Sequence, residues 1–128
     1  MVLGVGTDIL LIDRLRRNPS DLAEDAPFLK KIYTPAERQA AAARPDPILY
    51  FCTRFAGKEA VFKALGSADG QIRLDQIEIL NSDSGQPEVT LSGRMRELAE
   101  ARGITDIRIS LSYDTDYAVA FAIAQDNK

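Results

Sequence analysis

The hydrophobic positions at the start of the chain follow two different periods. A short apolar run with two glycines predicts a buried strand over residues 2–7, with Asp8 at its end. The next apolar residues recur at the spacing of one helix face, which predicts a helix over residues 9–17. Asp8 therefore lies at the predicted junction between a strand and a helix.

Capping signals divide the following segment into three helices. Ser20 is placed to cap a short helix that runs to residue 32. Thr34, followed by proline and then by Glu37 three residues after the cap, predicts a second helix that stops by residue 44. Asp46 is placed to cap a longer helix that runs to residue 65, where Gly66 ends it.

In much of the second half of the chain, apolar and polar residues alternate as in strands, instead of recurring at helical spacing. Residues 72–79 predict a strand, and residues 89–91 predict its hairpin partner. A helix over residues 92–102 and a strand over residues 107–111 follow, and residues 117–124 are apolar on both faces, as in a central strand. This order of elements predicts an α+β fold in which a mainly antiparallel sheet packs with helices.

The composition is that of an ordinary globular protein. Of 128 residues, 45% are hydrophobic and 27% are charged, so we expect residues 1–128 to form a single domain with one core. No apolar run approaches the roughly 18 residues of a membrane helix, and the first residues lack the basic segment of a signal peptide. Cys52 is the only cysteine, which excludes an intrachain disulfide. We therefore expect a cytoplasmic protein that does not bind a membrane.

The net charge and the lack of histidine argue against several classes of function. The net charge of −3 argues against broad binding of nucleic acid. Arg14, Arg16 and Arg17 nonetheless cluster near the start, either as a docking surface for an acidic partner or as a solvated helix face. A chain without histidine has no imidazole-based triad or zinc site, so its metal ligands would be oxygens, as for magnesium, calcium or manganese.

The longest predicted helix carries charges in unusual places. Glu59 and Lys63 lie side by side at the edge of its apolar arc, whereas Arg54 and Lys58 fall inside that arc. Two explanations of the first pair stay open: an ordinary helix-stabilising pair four residues apart, or a phosphate-binding site. Small alanines beside the pair leave room for a ligand. Two roles also stay open for Asp8: it is either a helix cap or a metal ligand.

Four segments resemble the holo-acyl-carrier-protein synthase family, in the order in which that family has them. Residues 4–9, GVGTDI, resemble its opening signature, and residues 55–66, FAGKEAVFKALG, resemble its second. Residues 77–91, IEILNSDSGQPEVTL, are similar to its hairpin, and residues 110–124, SLSYDTDYAVAFAIA, to its closing pair of strands. The resemblance spans nearly the whole chain and implies the fold of the 4′-phosphopantetheinyl transferases.

The resemblance implies an enzyme that moves 4′-phosphopantetheine from coenzyme A to a serine of an acyl carrier protein. Asp8 and Glu59 would hold Mg²⁺ on the pyrophosphate, and Lys63 would contact the attacked phosphate. Glu59 would remove the serine proton, directly or through a metal-bound water. The serine hydroxyl would attack the β-phosphate, and 3′,5′-ADP would leave. A further set of residues would bind the coenzyme: Arg54, Lys58, Gly66, Ser67, Pro87 and Tyr113.

The resemblance also implies partners and an assembly. An acidic helix of the carrier protein would dock on Arg14 and Arg17, and the chain would form a homotrimer with active sites between subunits. Tyr113 stands where the family usually has histidine, and the loop after Gly66 is short, so coenzyme binding is expected to differ. Two alternatives remain: a non-catalytic regulator that binds coenzyme A or carrier protein, and a plain nucleotide-binding or structural module.

Overall fold

The structure, a computed structural model, describes residues 1–67 and 70–127. Within these residues the strands are β1 (Val2–Leu11), β2 (Ile77–Asn81), β3 (Pro87–Leu91), β4 (Asp106–Tyr113) and β5 (Tyr117–Gln125). The helices are α1 (Asp13–Arg16), α2 (Pro27–Ile32), α3 (Pro35–Ala42), α4 (Pro47–Leu65) and α5 (Gly93–Ala101). The predicted α+β class is confirmed. Residues 68 and 69, in the short loop after Gly66, lie outside the described part.

β5 is the central strand of the larger sheet. It pairs antiparallel with β1 on one side and with β4 on the other, while β2 and β3 form a separate hairpin. Every second residue of β5, beginning with Ala118, is buried on the face that packs against α4, and the residues between them are more exposed. The central strand predicted over residues 117–124 is therefore confirmed.

α4 lies directly on the sheet because glycine and alanine line the contact. A Cβ added at Gly4 would overlap the carbonyl of Ala64, and one added at Gly6 would overlap the carbonyl of Ala60. Ala56, Ala60 and Ala64 have no exposed surface. The prediction that the alanines beside Glu59 leave room for a ligand is therefore wrong, because their small size serves the close approach of helix and strand.

The first strand is longer than its sequence pattern indicates. β1 continues to Leu11 and pairs with β5 along its length, so that Asp8 lies opposite Ala120 in the middle of the strand rather than at its end. The predicted helix shrinks to the four residues of α1. Three apolar positions at helical spacing are too few to compete with backbone hydrogen bonds to a neighbouring strand.

Two other predicted elements are divided in the structure. The helix predicted over residues 20–32 is a 3₁₀ turn, Pro19–Leu22, followed by α2, which begins at Pro27 because proline lacks the N–H that a helix interior needs. The strand predicted from residue 72 begins only at Ile77, after the 3₁₀ turn Leu74–Gln76.

The caps predicted at Thr34, Asp46 and Gly66 are confirmed, whereas the cap predicted at Ser20 is wrong, because Ser20 lies inside the 3₁₀ turn and α2 begins after Ala26. Thr34 and Glu37 form a capping box at the start of α3. Asp46 accepts a hydrogen bond from the backbone of Leu49, and Gly66 ends α4 at φ 68°, in the left-handed region that glycine enters without strain. Over the described residues, no helix combines the length and the apolar content needed to cross a bilayer.

Candidate active site

The fold brings Asp8, Glu59 and Lys63 together where α4 crosses β1. The ammonium of Lys63 donates to the carbonyl oxygen of Thr7 at 2.9 Å and lies 3.3 Å from Oδ1 of Asp8. Burial, and after it the charge of Asp8, raises the pKa of Glu59, whereas Lys63 opposes that shift. The three residues predicted to be catalytic therefore form one electrostatic cluster, although Asp8 is far from the other two in sequence.

The donor atoms of this cluster suit a magnesium ion. Asp8 and Glu59 supply carboxylate oxygens, which magnesium prefers, and two like charges held near each other favour a cation between them. Among the described residues, no group of three or more acidic or cysteine side chains is arranged to hold a metal. A magnesium ion bound here would therefore take its remaining ligands from water and from substrate phosphates, as it commonly does.

A second candidate region is a cavity of about 1090 Å³ between α4, the hairpin and β4. Arg54, Pro87 and Tyr113, all predicted to bind the coenzyme, line it. Its floor combines apolar side chains with polar groups: Leu49, Val89, Ile107, Ile109 and Leu111 among the former, and Asn81, Glu88 and Ser110 among the latter. A cavity of this composition suits a ligand with both apolar and charged parts.

Arg54 is held in place by its neighbours in this cavity. Its Nη2 donates to Oδ1 of Asn81 at 2.6 Å, and its guanidinium lies 4.1 Å from the centroid of the Tyr50 ring. The guanidinium of Arg44 lies 5.3 Å from the same centroid. Two arginines on one aromatic ring make this end of the cavity positive and suited to phosphate.

Sequence reasoning missed several residues of the cavity. Arg44, Tyr50, Asn81 and Arg108 all line it. The spacing of four residues between Tyr50 and Arg54 on one helix was a signal for the stacked pair. No sequence signal places Arg44, which precedes α4, or Asn81, at the end of β2, because their meeting depends on how the hairpin packs against the helix.

Lys58 is not available to a ligand. Its ammonium has no exposed surface and donates to Oε1 of Glu37 at 2.7 Å and to the carbonyls of Leu74 at 2.9 Å and Ile77 at 2.6 Å. All three ammonium protons therefore have acceptors inside the protein. The prediction that Lys58 binds the coenzyme is wrong, because the apolar arc of α4 faces an internal partner, Glu37, at this point.

The remaining predicted residues are not among the described residues that line the cavity. Gly66 ends α4, and Ser67 follows it. Arg14 and Arg17 are exposed and form a shallow depression together with Asn18. Arg17 also pairs with Asp13 at 2.7 Å, and this pair is too exposed to stabilise the fold substantially.

Comparison with known proteins decides the family. The profile described as "4'-phosphopantetheinyl transferase superfamily" matches residues 4–122, which include both signature segments and the cluster of Asp8, Glu59 and Lys63. The chain belongs to the 4′-phosphopantetheinyl transferase superfamily. A holo-[acyl-carrier-protein] synthase of Desulforudis audaxviator is 41% identical over 124 residues, which cover 97% of this chain and 93% of that protein.

Solved structures agree with this assignment. A holo-[acyl-carrier-protein] synthase of Neisseria meningitidis matches with a TM-score of 0.86 and 31% identity, over 98% of this chain and 100% of that one. The Helicobacter pylori synthase in complex with coenzyme A matches with a TM-score of 0.74 and 27% identity, over 94% of this chain and 99% of that one. This phosphopantetheinyl transferase is thus an enzyme of the holo-[acyl-carrier-protein] synthase type.

The transferase carries its candidate site residues in two separate groups. Among the described residues, the cavity that contains Arg54, Pro87 and Tyr113 is not lined by Asp8, Glu59 or Lys63. These three residues, the candidate catalytic cluster, lie instead at the crossing of α4 and β1. Within the described part of one copy, the cavity and the cluster are therefore separate groups of residues.

Proposed function

We propose that this chain transfers 4′-phosphopantetheine from coenzyme A to a serine of an acyl carrier protein, with magnesium on the pyrophosphate and 3′,5′-ADP as the product. The convergence of Asp8, Glu59 and Lys63 carries the proposal. The coenzyme A complex of the Helicobacter pylori relative supports the identity of the co-substrate. We further propose that residues 1–128 act as one transferase domain in the cytoplasm.

The proposed roles follow from the chemistry of phosphoryl transfer. The serine Oγ bonds to the β-phosphorus while the bond from that phosphorus to the bridging oxygen breaks, and 3′,5′-ADP leaves with the electron pair. Asp8 and Glu59 would hold magnesium, which would supply positive charge to the phosphates. Lys63 offsets the charge that develops on the attacked phosphate, and Glu59 takes the serine proton. Positioning and charge neutralisation dominate such reactions.

The coenzyme and the carrier protein would use different surfaces. Arg54, Pro87 and Tyr113 would bind the coenzyme from the cavity, and Gly66 and Ser67 would contact it near the catalytic cluster. The exposed Arg14 and Arg17 would receive an acidic helix of the carrier protein. Opposite charges on two such surfaces accelerate and orient their encounter.

A homotrimer with active sites between subunits would unite the two groups of site residues. The open face of the larger sheet supports assembly, since it exposes large apolar side chains on β1 and β5: Val5, Ile9, Tyr117, Val119 and Phe121. Adjacent exposed apolar side chains of this kind mark interaction surfaces. That the assembly has three subunits is inferred from the family resemblance. In such an assembly, the cavity of one subunit would face the catalytic cluster of the next.

Intact-mass spectrometry of an apo acyl carrier protein tests the proposed function. Incubation with this protein, magnesium and coenzyme A should add one phosphopantetheine group to the carrier. The addition should disappear with a chelator and with Glu59→Gln, and it should persist with Glu97→Gln, a matched change at an exposed position of α5. Coenzyme binding without any mass change would instead favour the non-catalytic regulator.

A further inference from the structure

Arg102 links the two segments that carry the proposed catalytic residues. Its Nη1 donates to the carbonyl of Leu65 at 2.7 Å and to the preceding carbonyl at 3.3 Å, both at the end of α4. Its Nη2 donates to the carbonyl of Leu3 in β1 at 2.7 Å. Lys63 belongs to the last turn of α4, and Asp8 belongs to β1. One guanidinium therefore ties the backbones of both segments together.

The acceptors of Arg102 are carbonyls at the end of α4 and at an irregularity of β1. The last carbonyls of a helix have no partner within the helix, and the helix dipole places partial negative charge on them. Leu3 stands at a shift in the register of β1 with β5, between the paired residues Val2 and Gly4. A planar guanidinium, with several donors in a fixed arrangement, can satisfy both sites at once.

Glycines of the two signature segments border this guanidinium. A Cβ added at Gly66 would lie 2.6 Å from Nη1 of Arg102, and a Cβ added at Gly4 would lie 3.4 Å from the same atom. Gly66 also has φ 68°, which a side chain would strain. Arg102 itself lies outside both segments in sequence, at the end of α5. Both signature segments therefore border Arg102, although Arg102 belongs to neither of them.

We propose that Arg102 is a positioning residue for transfer: it fixes the last turn of α4, and with it Lys63, relative to the strand that carries Asp8. This inference rests on the proposed function and assigns a further residue to it. Without the guanidinium, the end carbonyls of α4 lose their donor and the last turn frays. Lys63 then moves relative to Asp8, and a displacement of about 1 Å at a reacting centre costs about a hundredfold in rate.

Three variants test this role: Arg102→Ala, Arg102→Lys and, as a control, Arg96→Ala. Arg96 lies on the same helix, is exposed and pairs with Glu100 at 2.9 Å. We would measure kcat and KM for coenzyme A in transfer to an apo carrier protein, well below the melting temperature of each variant. Arg102→Ala should lower kcat/KM at least about tenfold, whereas Arg96→Ala should match the wild type.

Partial recovery of the transfer rate would distinguish a positioning role of Arg102 from a role in stability alone. Arg102→Lys should recover part of the lost rate, because lysine keeps the charge but not the fork of donors. Free guanidinium ion, added at millimolar concentration, should raise the rate of Arg102→Ala and not that of Arg96→Ala. If Arg102→Ala lowers only the melting temperature and keeps the kcat and KM of the wild type, the inference is overturned. If the wild-type protein transfers nothing, it is the proposed function that fails.

Discussion

At the scale of single residues, the candidate site is organised by two carboxylates that repel each other. Burial is the first cause of the raised pKa of Glu59, and the charge of Asp8 is the second. An ionised Glu59 is therefore less favourable in the folded protein than in the unfolded chain. The same arrangement that destabilises the metal-free protein favours the binding of a cation.

Glu59→Gln should abolish transfer and raise the melting temperature of the metal-free protein at neutral pH. Because folding raises the pKa of Glu59, its contribution to stability is complete below the ordinary glutamate pKa of about 4.3 and is lost as the pH rises through the folded value. Thermal melts with chelator should thus diverge between variant and wild type towards neutrality and converge in acid. If Glu59→Gln melted at a lower temperature than the wild type at neutral pH, that result would contradict the proposed repulsion between Asp8 and Glu59.

Tyr113 allows a second test at this scale. Its side chain is 60% exposed and lines the cavity at the end of β4. Tyr113→His would introduce a group that becomes a cation below a pKa of about 6.5, which tyrosine never does. Coenzyme A should therefore bind the variant more tightly as the pH falls through that range. Calorimetric titrations of the wild type and the variant with coenzyme A would measure this affinity across the pH range. If the affinities of the two proteins changed with pH in the same way, Tyr113 would not contact the coenzyme phosphates.

At the scale of elements, a buried ion pair joins α3, α4 and the hairpin. Glu37 accepts from the ammonium of Lys58, from the backbone of Thr34 and, at 2.8 Å, from the backbone of Ile79 in β2. Glu37 and Lys58 have no exposed surface. Burial lowers the pKa of Lys58, and Glu37 opposes that shift. The pair fixes α4 against the hairpin that forms one wall of the cavity.

Glu37→Ala should therefore destabilise the protein strongly. Removal of one partner leaves a buried ammonium unpaired, which typically costs about 3–5 kcal/mol, whereas Glu97→Ala on the exposed face of α5 should change stability little. Denaturant unfolding would measure both. Glu37→Ala combined with Lys58→Met should recover part of the loss, because the double variant leaves no buried charge; a double variant as unstable as Glu37→Ala alone would contradict this role for the pair.

At the scale of the whole molecule, the separation of the two groups of site residues makes assembly testable. Phe121→Asp places a charge on the open face of the sheet, where Phe121 is 44% exposed. We expect light scattering to show a folded, inactive monomer for this variant and a trimer for the wild type. Arg96→Asp, on the exposed part of α5, should remain trimeric and active.

Mixed assemblies of two variants test the proposed site between subunits directly. Glu59→Gln and Arg54→Ala should each be inactive alone, but subunit exchange should restore about one quarter of the sites, in which an intact cluster faces an intact cavity. Activity of the mixture relative to the wild type measures that fraction. If mixing restores nothing although exchange is complete, both groups belong to a site within one subunit.

Much of the local structure was predictable from sequence because it depends on nearby residues. Capping signals placed the starts of α3 and α4, and two-sided hydrophobicity identified β5 as the central strand. The spacing of Glu59 and Lys63 near the end of α4 left an ordinary helix pair and a phosphate site open, and their catalytic roles were predicted from the family resemblance. Asp8 was also identified, but its link to Glu59 required the family resemblance, since spacing along a chain does not determine contacts between distant segments.

The sequence by itself determined the class of fold, the caps of α3 and α4, the absence of histidine from any metal site and the family. Only the tertiary structure decided that Asp8 lies inside a strand, that Lys58 faces Glu37 instead of a ligand, and that Arg102 joins β1 to α4. The physical reason is the range of the interactions. Caps and periodicity act within a few residues, whereas sheet register, a buried ion pair and a bridging guanidinium depend on partners that only packing brings together.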